Sequence, residues 1–207
     1  MAEDDYEFTN NWFESAAKGV WELLIPQINP TRILEIGSFE GASTCYLIKK
    51  LAALKNIELH CIDTWAGGLE HSSFDMSAVE RRFHKNIESA MTHVQNEVEI
   101  CLHKSESDLA LSKLLASGKQ GHFDFIYIDG SHQAPDVLCD ALLCFRLARV
   151  GGVLAFDDYL WQEDLPSGTD PIRCPKPAID AFTNIYCRKL KVLSAPLYQL
   201  YVQKISD

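Results

Sequence analysis

The chain has 207 residues, of which 47% are hydrophobic, and this size and composition suit one domain with a full core. Its formal net charge is −10 at pH 7 and it contains no long basic run, which argues against nucleic acid as a partner. The first residues, MAEDDYEFTNNWF, are acidic and lack the apolar core of a secretory signal. No apolar run approaches about 18 residues, so we expect no membrane span and, by default, a cytoplasmic location.

Strand-like and helix-like segments alternate along the chain. In chain order they are a helix at 12–25, the strand RILEIG (32–37), a helix at 42–54, the strand IELHCID (57–63), a helix at 75–93, the strand VEICLHK (98–104), a helix at 105–116, the strand FDFIYID (123–129), a helix at 132–149, the strand GVLAFDD (152–158), a helix at 177–188, and two final strands at 190–195 and 197–205. A Ser-x-x-Asp pattern that begins at Ser105 predicts the cap of the fourth of these helices.

The repeated strand–helix units predict an α/β fold with a Rossmann-like, doubly wound, seven-stranded sheet. We expect the sheet to be mostly parallel, with helices on both faces and an antiparallel edge formed by the two C-terminal strands. One domain should cover residues 1–207, with residues 1–28 as an N-terminal helical segment.

The positions of the seven cysteines indicate a role in packing rather than in disulfide bonds or metal binding. They lie at positions 45, 61, 101, 139, 144, 174 and 187. None belongs to a CxxC pair and most fall in apolar segments, so buried reduced thiols are favoured over a disulfide framework or a zinc site.

Acidic residues stand at the carboxyl ends of the expected strands. They are Glu35, Asp63, Asp129, Asp157 and Asp158. A buried carboxylate is costly unless something pairs with it, and ligands of open parallel sheets bind beyond the carboxyl ends of the strands. These acids therefore indicate a site at that edge of the sheet.

The first loop, LEIGSFEGAST at 34–44, suits a nucleoside better than a dinucleotide. Gly37 and Gly41 permit unusual backbone angles and a close approach to a ligand, but the G-x-G-x-x-G pattern fails at Phe39. Glu35 would sit badly against a pyrophosphate, whereas Asp63 could accept hydrogen bonds from a ribose. A nucleoside with no phosphate and a positive centre, such as S-adenosylmethionine, fits this combination. The alternative is a plain strand-to-helix turn.

Four motifs in order, EIGSFEGAS, CIDTWAGG, FDFIYIDGSH and GGVLAFDDYLW, resemble the landmarks of class I S-adenosylmethionine-dependent methyltransferases. More narrowly, they resemble the small bacterial group called methyltransferase family 24, over about residues 11–182. The resemblance implies a single class I methyltransferase domain with S-adenosyl-L-methionine as cofactor. It implies that Glu35, Gly37, Ser38 and Asp129 lie at the methionine end of the cofactor, Asp63 at the ribose, and Thr64, Trp65 and Ser105 near the adenine. Gly41 and Ser43 of the first loop complete the expected cofactor-binding set.

Asp129, Asp157 and Asp158 are a candidate metal site. They end neighbouring strands about 4.8 Å apart, and three crowded carboxylates repel one another unless a cation intervenes. Hard cations such as Mg²⁺ prefer oxygen ligands. The pattern resembles the cation-dependent O-methyltransferases of the catechol and caffeoyl-CoA type, with Asp-Asp in place of Asp-Asn. Alternatively, one Asp caps a helix, another binds cofactor and the third is solvated.

His132 is a candidate general base, because histidine titrates near neutral pH. In the catechol-type relatives a Lys occupies the comparable place, so this chain departs from their pattern. We count Asp129 with His132 as a catalytic candidate. The structural alternative is that Ser131 is a helix N-cap and His132 a first-turn residue, which agrees with Pro135 in the first turn.

The resemblance implies a methyltransferase that acts on a small-molecule acceptor, most simply a hydroxyl, with assistance from Mg²⁺ or another divalent cation as an open question. The enzyme's task would be in-line positioning of the acceptor and the sulfonium. Two alternatives stay open: an S-adenosylmethionine-binding protein without transfer activity, and a nicotinamide-dependent reductase on a related fold. We expect no nucleic-acid or membrane partner, and a homodimer is one alternative for the oligomeric state.

Overall fold

One mixed sheet of seven strands organises the protein, described here from a computed structural model that covers residues 5–163, 165–166 and 168–207. The strands are β1 (Arg32–Ile36), β2 (Ile57–Asp63), β3 (Val98–Lys104), β4 (Phe123–Ile128), β5 (Ala148–Phe156), β6 (Leu190–Leu193) and β7 (Leu200–Lys204). Their order in the sheet is β3-β2-β1-β4-β5-β7-β6. The first five strands are parallel, and β7 runs antiparallel between β5 and β6. This confirms the predicted fold class and the antiparallel edge.

In the described ranges, seven α-helices connect and cover the strands. They are α1 (Trp12–Ala16), α2 (Lys18–Ile28), α3 (Ala42–Leu51), α4 (Met76–Thr92), α5 (Ser107–Ala116), α6 (Ala134–Leu147) and α7 (Lys176–Ile185). Short 3₁₀ turns occur at Leu69–His71 and Pro171–Arg173. In the part of the chain that the structure describes, no helix has both the length and the apolar character needed to cross a bilayer.

The two faces of the sheet carry separate cores because residues alternate along each strand. On one face, side chains such as Leu34, Ile126 and Leu154 pack with α5, α6 and α7. On the other face, α1 to α4 pack against the alternate residues of the same strands. Trp21 of α2 is fully buried there, with its ring edge-on to Tyr127 at a centroid distance of 4.8 Å.

Several predicted boundaries differ from the observed ones. The helix predicted at 12–25 is two helices that meet at Ala17, and the second continues to Ile28. The Ser105 cap is wrong: α5 begins at Ser107 with Glu106 as its N-cap residue, and no capping hydrogen bond from that side chain occurs among the described residues. All seven cysteines are free thiols, but the prediction that they are buried holds only for Cys45, Cys61, Cys144 and Cys174. Cys101 and Cys139 are half-buried and Cys187 is exposed.

The order of the strands in the sheet indicates where a ligand would bind. The connection from β1 leads outward to β2 and the connection from β3 returns to β4, so β1 and β4 flank the switch in strand order. Ligands of doubly wound sheets bind at the carboxyl ends of the strands beside such a switch. In this chain those ends carry the first loop after β1 and Asp129 after β4.

Candidate active site

A groove of about 2400 Å³ opens at the carboxyl ends of the central strands and continues along α2. Eight predicted site residues line it, namely Gly37, Asp63, Thr64, Ser105, Asp129, His132, Asp157 and Asp158. They come from the ends of β1 to β5, so the strand order brings together residues far apart in the sequence. The remaining predicted site residues, Glu35, Ser38, Gly41, Ser43 and Trp65, are not among the described lining residues.

Gly37 lies at the bottom of the groove, where only glycine fits. Its φ is +81°, and a Cβ added there would lie 1.9 Å from the backbone oxygen of Asp129. Its N–H donates to Ile62 O at 2.9 Å, while Asp129 N donates to Ile36 O at 2.9 Å. The first loop is therefore fitted between β2 and β4. The close approach predicted at Gly37 is made by the chain's own backbone.

Glu35, which we predict at the methionine end of the cofactor, is a buried support of the first loop. It is fully buried and accepts hydrogen bonds from the hydroxyls of Ser38 (2.6 Å), Ser43 (2.5 Å) and Thr44. Burial raises the pKa of its carboxyl, and the three hydroxyl donors oppose that rise. The side chains of Ser38 and Ser43 thus turn inward, and Gly41 begins α3 with φ +82°.

Asp63 connects the first loop to the loop after β2. Its Oδ2 accepts from the backbone N–H groups of Ser38 and Phe39, both at 2.9 Å, and its Oδ1 accepts from Trp65 N at 2.7 Å. A carboxylate has about four acceptor positions, so these bonds leave room for a ligand hydroxyl. Trp65, which we predict beside the adenine, is 5% exposed and supports the first loop by donating its indole N–H to Phe39 O.

The three predicted metal ligands lie at the ends of neighbouring strands, and their charges influence one another. Asp129 has a pKa raised well above its usual value, first because its carboxyl is desolvated and then because of the negative charges of Asp157 and Asp158. Burial, followed by the charge of Asp158, also raises the pKa of Asp157 to about 6. Asp158 adopts a left-handed backbone conformation with φ +54°.

Protein groups engage all three carboxylates, and Asp129 has a side-chain hydrogen bond with Tyr127. Asp157 Oδ1 accepts from Gln199 Nε2 at 2.9 Å and from Asp158 N at 2.8 Å, and its Oδ2 accepts from the Tyr127 hydroxyl. Asp158 Oδ2 lies 2.8 Å from His132 Nε2. Three carboxylates are the donor type that a divalent cation prefers, and their mutual repulsion fits one. With the present side-chain directions, the described ranges contain no group of three or more His, Cys, Asp or Glu residues arranged to hold a metal ion.

His132 lies against Trp161 as well as against Asp158. The two rings have centroids 4.1 Å apart and an interplanar angle of 33°, so the indole covers one face of the imidazole. Helix α6 begins at Ala134 with Gln133 as its N-cap residue, and Ser131 Oγ instead accepts from Gln133 N at 3.0 Å. His132 therefore precedes the helix, and the alternative that makes it a first-turn residue is wrong.

A buried series of hydrogen bonds that ends at Asp157 was not predicted from the sequence. The Trp21 indole donates to the Tyr201 hydroxyl at 3.0 Å, the Tyr201 hydroxyl donates to Gln199, and Gln199 donates to Asp157. Tyr127 donates to Asp157 from the adjacent strand. The alternation of β4 and β7 could have placed Tyr127 and Tyr201 on one face of the sheet. However, Trp21 is 180 residues from Tyr201 and Asp157 is 30 residues from Tyr127, so the sequence does not pair them.

An aromatic cluster forms the wall on the α1 side. Trp12, Phe39, His71 and Phe74 contact one another with ring centroids 5.2 to 6.1 Å apart. All four line the groove. The loop after β2 and the start of α1 thus meet over the first loop and enclose this side of the site.

Known proteins have sequences similar to this chain. Caffeoyl-CoA O-methyltransferase of Populus kitakamiensis is 25% identical over 175 residues, which cover 82% of this chain and 66% of the relative. Probable caffeoyl-CoA O-methyltransferase 3 of Dictyostelium discoideum is 24% identical over 170 residues, which cover 78% of this chain and 60% of the relative. The chain thus spans less than two thirds of the length of these curated relatives.

Solved structures share the fold. The O-methyltransferase of Bacillus cereus, in complex with SAH, has a TM-score of 0.58 and 20% identity, covering 89% of this chain and 79% of that one. TomG of Streptomyces achromogenes, an O-methyltransferase involved in tomaymycin synthesis and in complex with SAM, has a TM-score of 0.61 and 19% identity, covering 90% and 78%.

The family follows from a match that runs from β1 to the residues after β5. The methyltransferase family 24 model, described as a methyltransferase domain, matches residues 34–159, which is more than half of the chain. That segment begins in β1, contains the first loop, Asp63 and His132, and ends just after Asp157 and Asp158. The match therefore covers the strand ends at the switch point, and the chain belongs to the methyltransferase domain family.

Proposed function

We propose that this protein transfers a methyl group from S-adenosylmethionine to a hydroxyl of a small-molecule acceptor. One observation carries the proposal: the same groove holds the Asp63 carboxylate at one strand end and the His132–Asp158 pair at another. The first suits the hydroxyls of a nucleoside, and the second suits an acceptor that must lose a proton. Family membership supports the reaction class, and the names of the caffeoyl-CoA relatives support oxygen as the atom methylated.

The cofactor would lie along the carboxyl ends of β1, β2 and β4. Gly37 gives a surface without a side chain at the switch point, Asp63 would accept from the ribose hydroxyls, and Thr64 and Ser105 continue the lining beyond Asp63. The acidic Asp129, whose burial without a cation is costly, would face the positive charge of the cofactor.

The proton of the acceptor would pass to His132. In the tautomer that donates from Nε2 to Asp158, the imidazole has its lone pair on Nδ1. As that nitrogen takes the hydroxyl proton, the acceptor oxygen forms a bond to the methyl carbon and the sulfur–methyl bond breaks. The bonding pair returns to sulfur, which leaves S-adenosylhomocysteine as a neutral thioether. Asp158 and the ring of Trp161 would fix the imidazole during this step.

A divalent cation such as Mg²⁺ remains part of the proposal, with Asp129, Asp157 and Asp158 as its ligands. When bound, it would lower the pKa of the acceptor hydroxyl. The charge of the cluster supports this role. Asp158 would then contact the metal as well as His132, so its contribution must be measured with and without a chelator.

Cytoplasmic location and the absence of nucleic-acid and membrane partners belong to the same proposal. The net charge of −10 supports the absence of a nucleic-acid or anionic-membrane partner, because an acidic surface disfavours polyanions. A homodimer is the oligomeric alternative, and light scattering of the purified protein measures it directly.

Two titrations and one assay test the proposal. We expect S-adenosylhomocysteine to bind in calorimetry and NAD(P)H not to bind, and we expect methyl transfer to at least one member of a panel of small hydroxyl acceptors. Binding of NAD(P)H in place of S-adenosylhomocysteine would establish the reductase alternative. Cofactor binding without transfer to any acceptor would identify a binding protein instead.

A further inference from the structure

A buried carboxyl group lies in the wall of the groove away from the acidic cluster. Asp140, in the middle of α6, is 2% exposed and yet lines the groove. The Ser107 side chain donates to the carboxylate, and Oδ1 has no hydrogen-bond partner among the described residues. Because buried acceptors are nearly always satisfied, an orphaned carboxylate oxygen at a groove needs an explanation.

Burial of an ionised carboxyl at position 140 costs free energy. Desolvation raises the pKa of Asp140 to about 7, and the nearby charges of Asp136 and Asp108 add to the rise. The Ser107 hydroxyl opposes it only in part. A residue that served only to join α6 to α5 could be a serine or an asparagine at lower cost. The carboxylate therefore indicates a donor that the protein itself does not supply.

The part of the groove beside Asp140 adjoins Asp63, where the ribose of the cofactor would bind. β2 and β3 are neighbours, with Asp63 opposite Lys104 in register, and Ser105 N donates to Asp63 O at 3.2 Å. The lining continues from Ser105 through Ser107 to Asp140. A ribose held at Asp63 would direct its base toward this segment. That direction rests on the function proposed above.

We propose that Asp140 selects the base of the cofactor, with Oδ1 accepting a hydrogen bond from the exocyclic amino group of adenine. The amino group at position 6 of adenine is a donor, so it matches an acceptor-only oxygen. A 6-oxo purine presents an acceptor at the same position, so its oxygen would repel the carboxylate. Asp140 thus acts as a specificity-determining residue of the nucleoside site.

The test compares S-adenosylhomocysteine with S-inosylhomocysteine, which differs in carrying oxygen in place of the 6-amino group. We expect the unmodified protein to bind the adenosyl compound at least about ten-fold more tightly. In Asp140→Asn the adenosyl affinity should fall about ten- to a hundred-fold, and the preference should shrink or reverse because an amide can donate to the 6-oxo group. Asp140→Ser provides the same comparison if the Asn variant does not fold.

Two control variants separate recognition from structure. Glu88→Gln removes a charge from the exposed face of α4 and should leave both affinities unchanged. Ser107→Ala removes the donor that joins α5 to Asp140 while leaving the carboxylate, so it should preserve the preference for the adenosyl compound. If Ser107→Ala and Asp140→Asn lower both affinities equally, Asp140 is only a structural link and the inference fails.

The outcomes also distinguish this inference from the proposed function. If the unmodified protein binds neither compound, the methyltransferase proposal itself fails. If it binds the adenosyl compound, but with no preference or with a preference that survives Asp140→Asn, the proposed function stands and the role of Asp140 is refuted.

Discussion

His132 and Asp158 are joined across two adjacent strand ends, with Nε2 2.8 Å from Oδ2. Both side chains are largely buried, at 15% and 17% exposure, so the contact is shielded from water on most sides. The pair joins the loop after β4 to the loop after β5, and Asp129 and Asp157 directly follow the same two strands. A change at either partner should therefore affect the chemical step before it affects the fold.

We expect His132→Gln to reduce kcat about 10²- to 10⁴-fold, the usual contribution of a general base. Asp158→Asn should reduce kcat less, because it leaves the imidazole in place and weakens only its orientation. Affinity for S-adenosylhomocysteine, measured by calorimetry, should change little in either variant. His93→Gln, at an exposed histidine after α4, is the matched control. A His132→Gln enzyme with unchanged kcat would remove His132 from the mechanism.

Substitution by alanine should be harmful at Gly37 and stabilising at Gly19. At Gly37 the added Cβ meets Asp129 O at 1.9 Å in a left-handed conformation, so Gly37→Ala should unfold the protein or abolish cofactor binding. At Gly19, inside α2, no described atom lies within 4 Å of the added Cβ. Gly19→Ala should therefore increase the free energy of unfolding by about 0.5–1 kcal/mol. Denaturant titration and calorimetry measure both, and similar effects at the two sites would contradict this account of the loop.

The proposed metal role gives a separate prediction. Excess chelator should reduce methyl transfer, and added Mg²⁺ should restore it, whereas S-adenosylhomocysteine affinity should persist through both steps. Asp158→Ala should then lose the response to Mg²⁺ together with turnover. Full activity in excess chelator would leave proton removal to His132 and assign Asp129 to the cofactor's charge.

Asp140 should make stability depend on pH. Its pKa is about 7 in the folded protein against an ordinary value of 3.8, so its contribution to stability is complete at low pH and is lost as the pH rises through 7. Above that pH the ionised, buried carboxyl costs on the order of 4 kcal/mol. We expect Asp140→Asn to have a larger free energy of unfolding than the unmodified protein at pH 8.5, with the difference shrinking toward pH 4.

The same variant is expected to bind S-adenosylhomocysteine more weakly, so its stability and affinity should move in opposite directions. Urea denaturation at several pH values, with Glu88→Gln as the control, measures the difference between proteins. Other titrating groups cancel in that difference. A pH-independent difference would show that Asp140 keeps its ordinary pKa in the folded state.

The alternation of strands and helices follows from local patterns, and the sequence alone predicts it. Runs such as FDFIYI and GVLAF indicate buried parallel strands, and the acids that follow them mark the edge of the sheet where ligands bind. Gly37 and Asp63 could be assigned to the site on the same basis, because their positions depend only on where β1 and β2 end.

Only the tertiary structure decided which side chains face the groove. Glu35 and Trp65 lie at strand ends like their neighbours, but packing turns them inward toward partners from α3 and from the first loop. The polar chain from Trp21 to Asp157 joins α2, β7 and β5, and no local pattern encodes such contacts. Asp140 looks like an ordinary helix residue in the sequence. Its burial and its unsatisfied oxygen arise only when α6 packs beside α5 and the sheet, because desolvation depends on neighbours that the chain brings together from a distance.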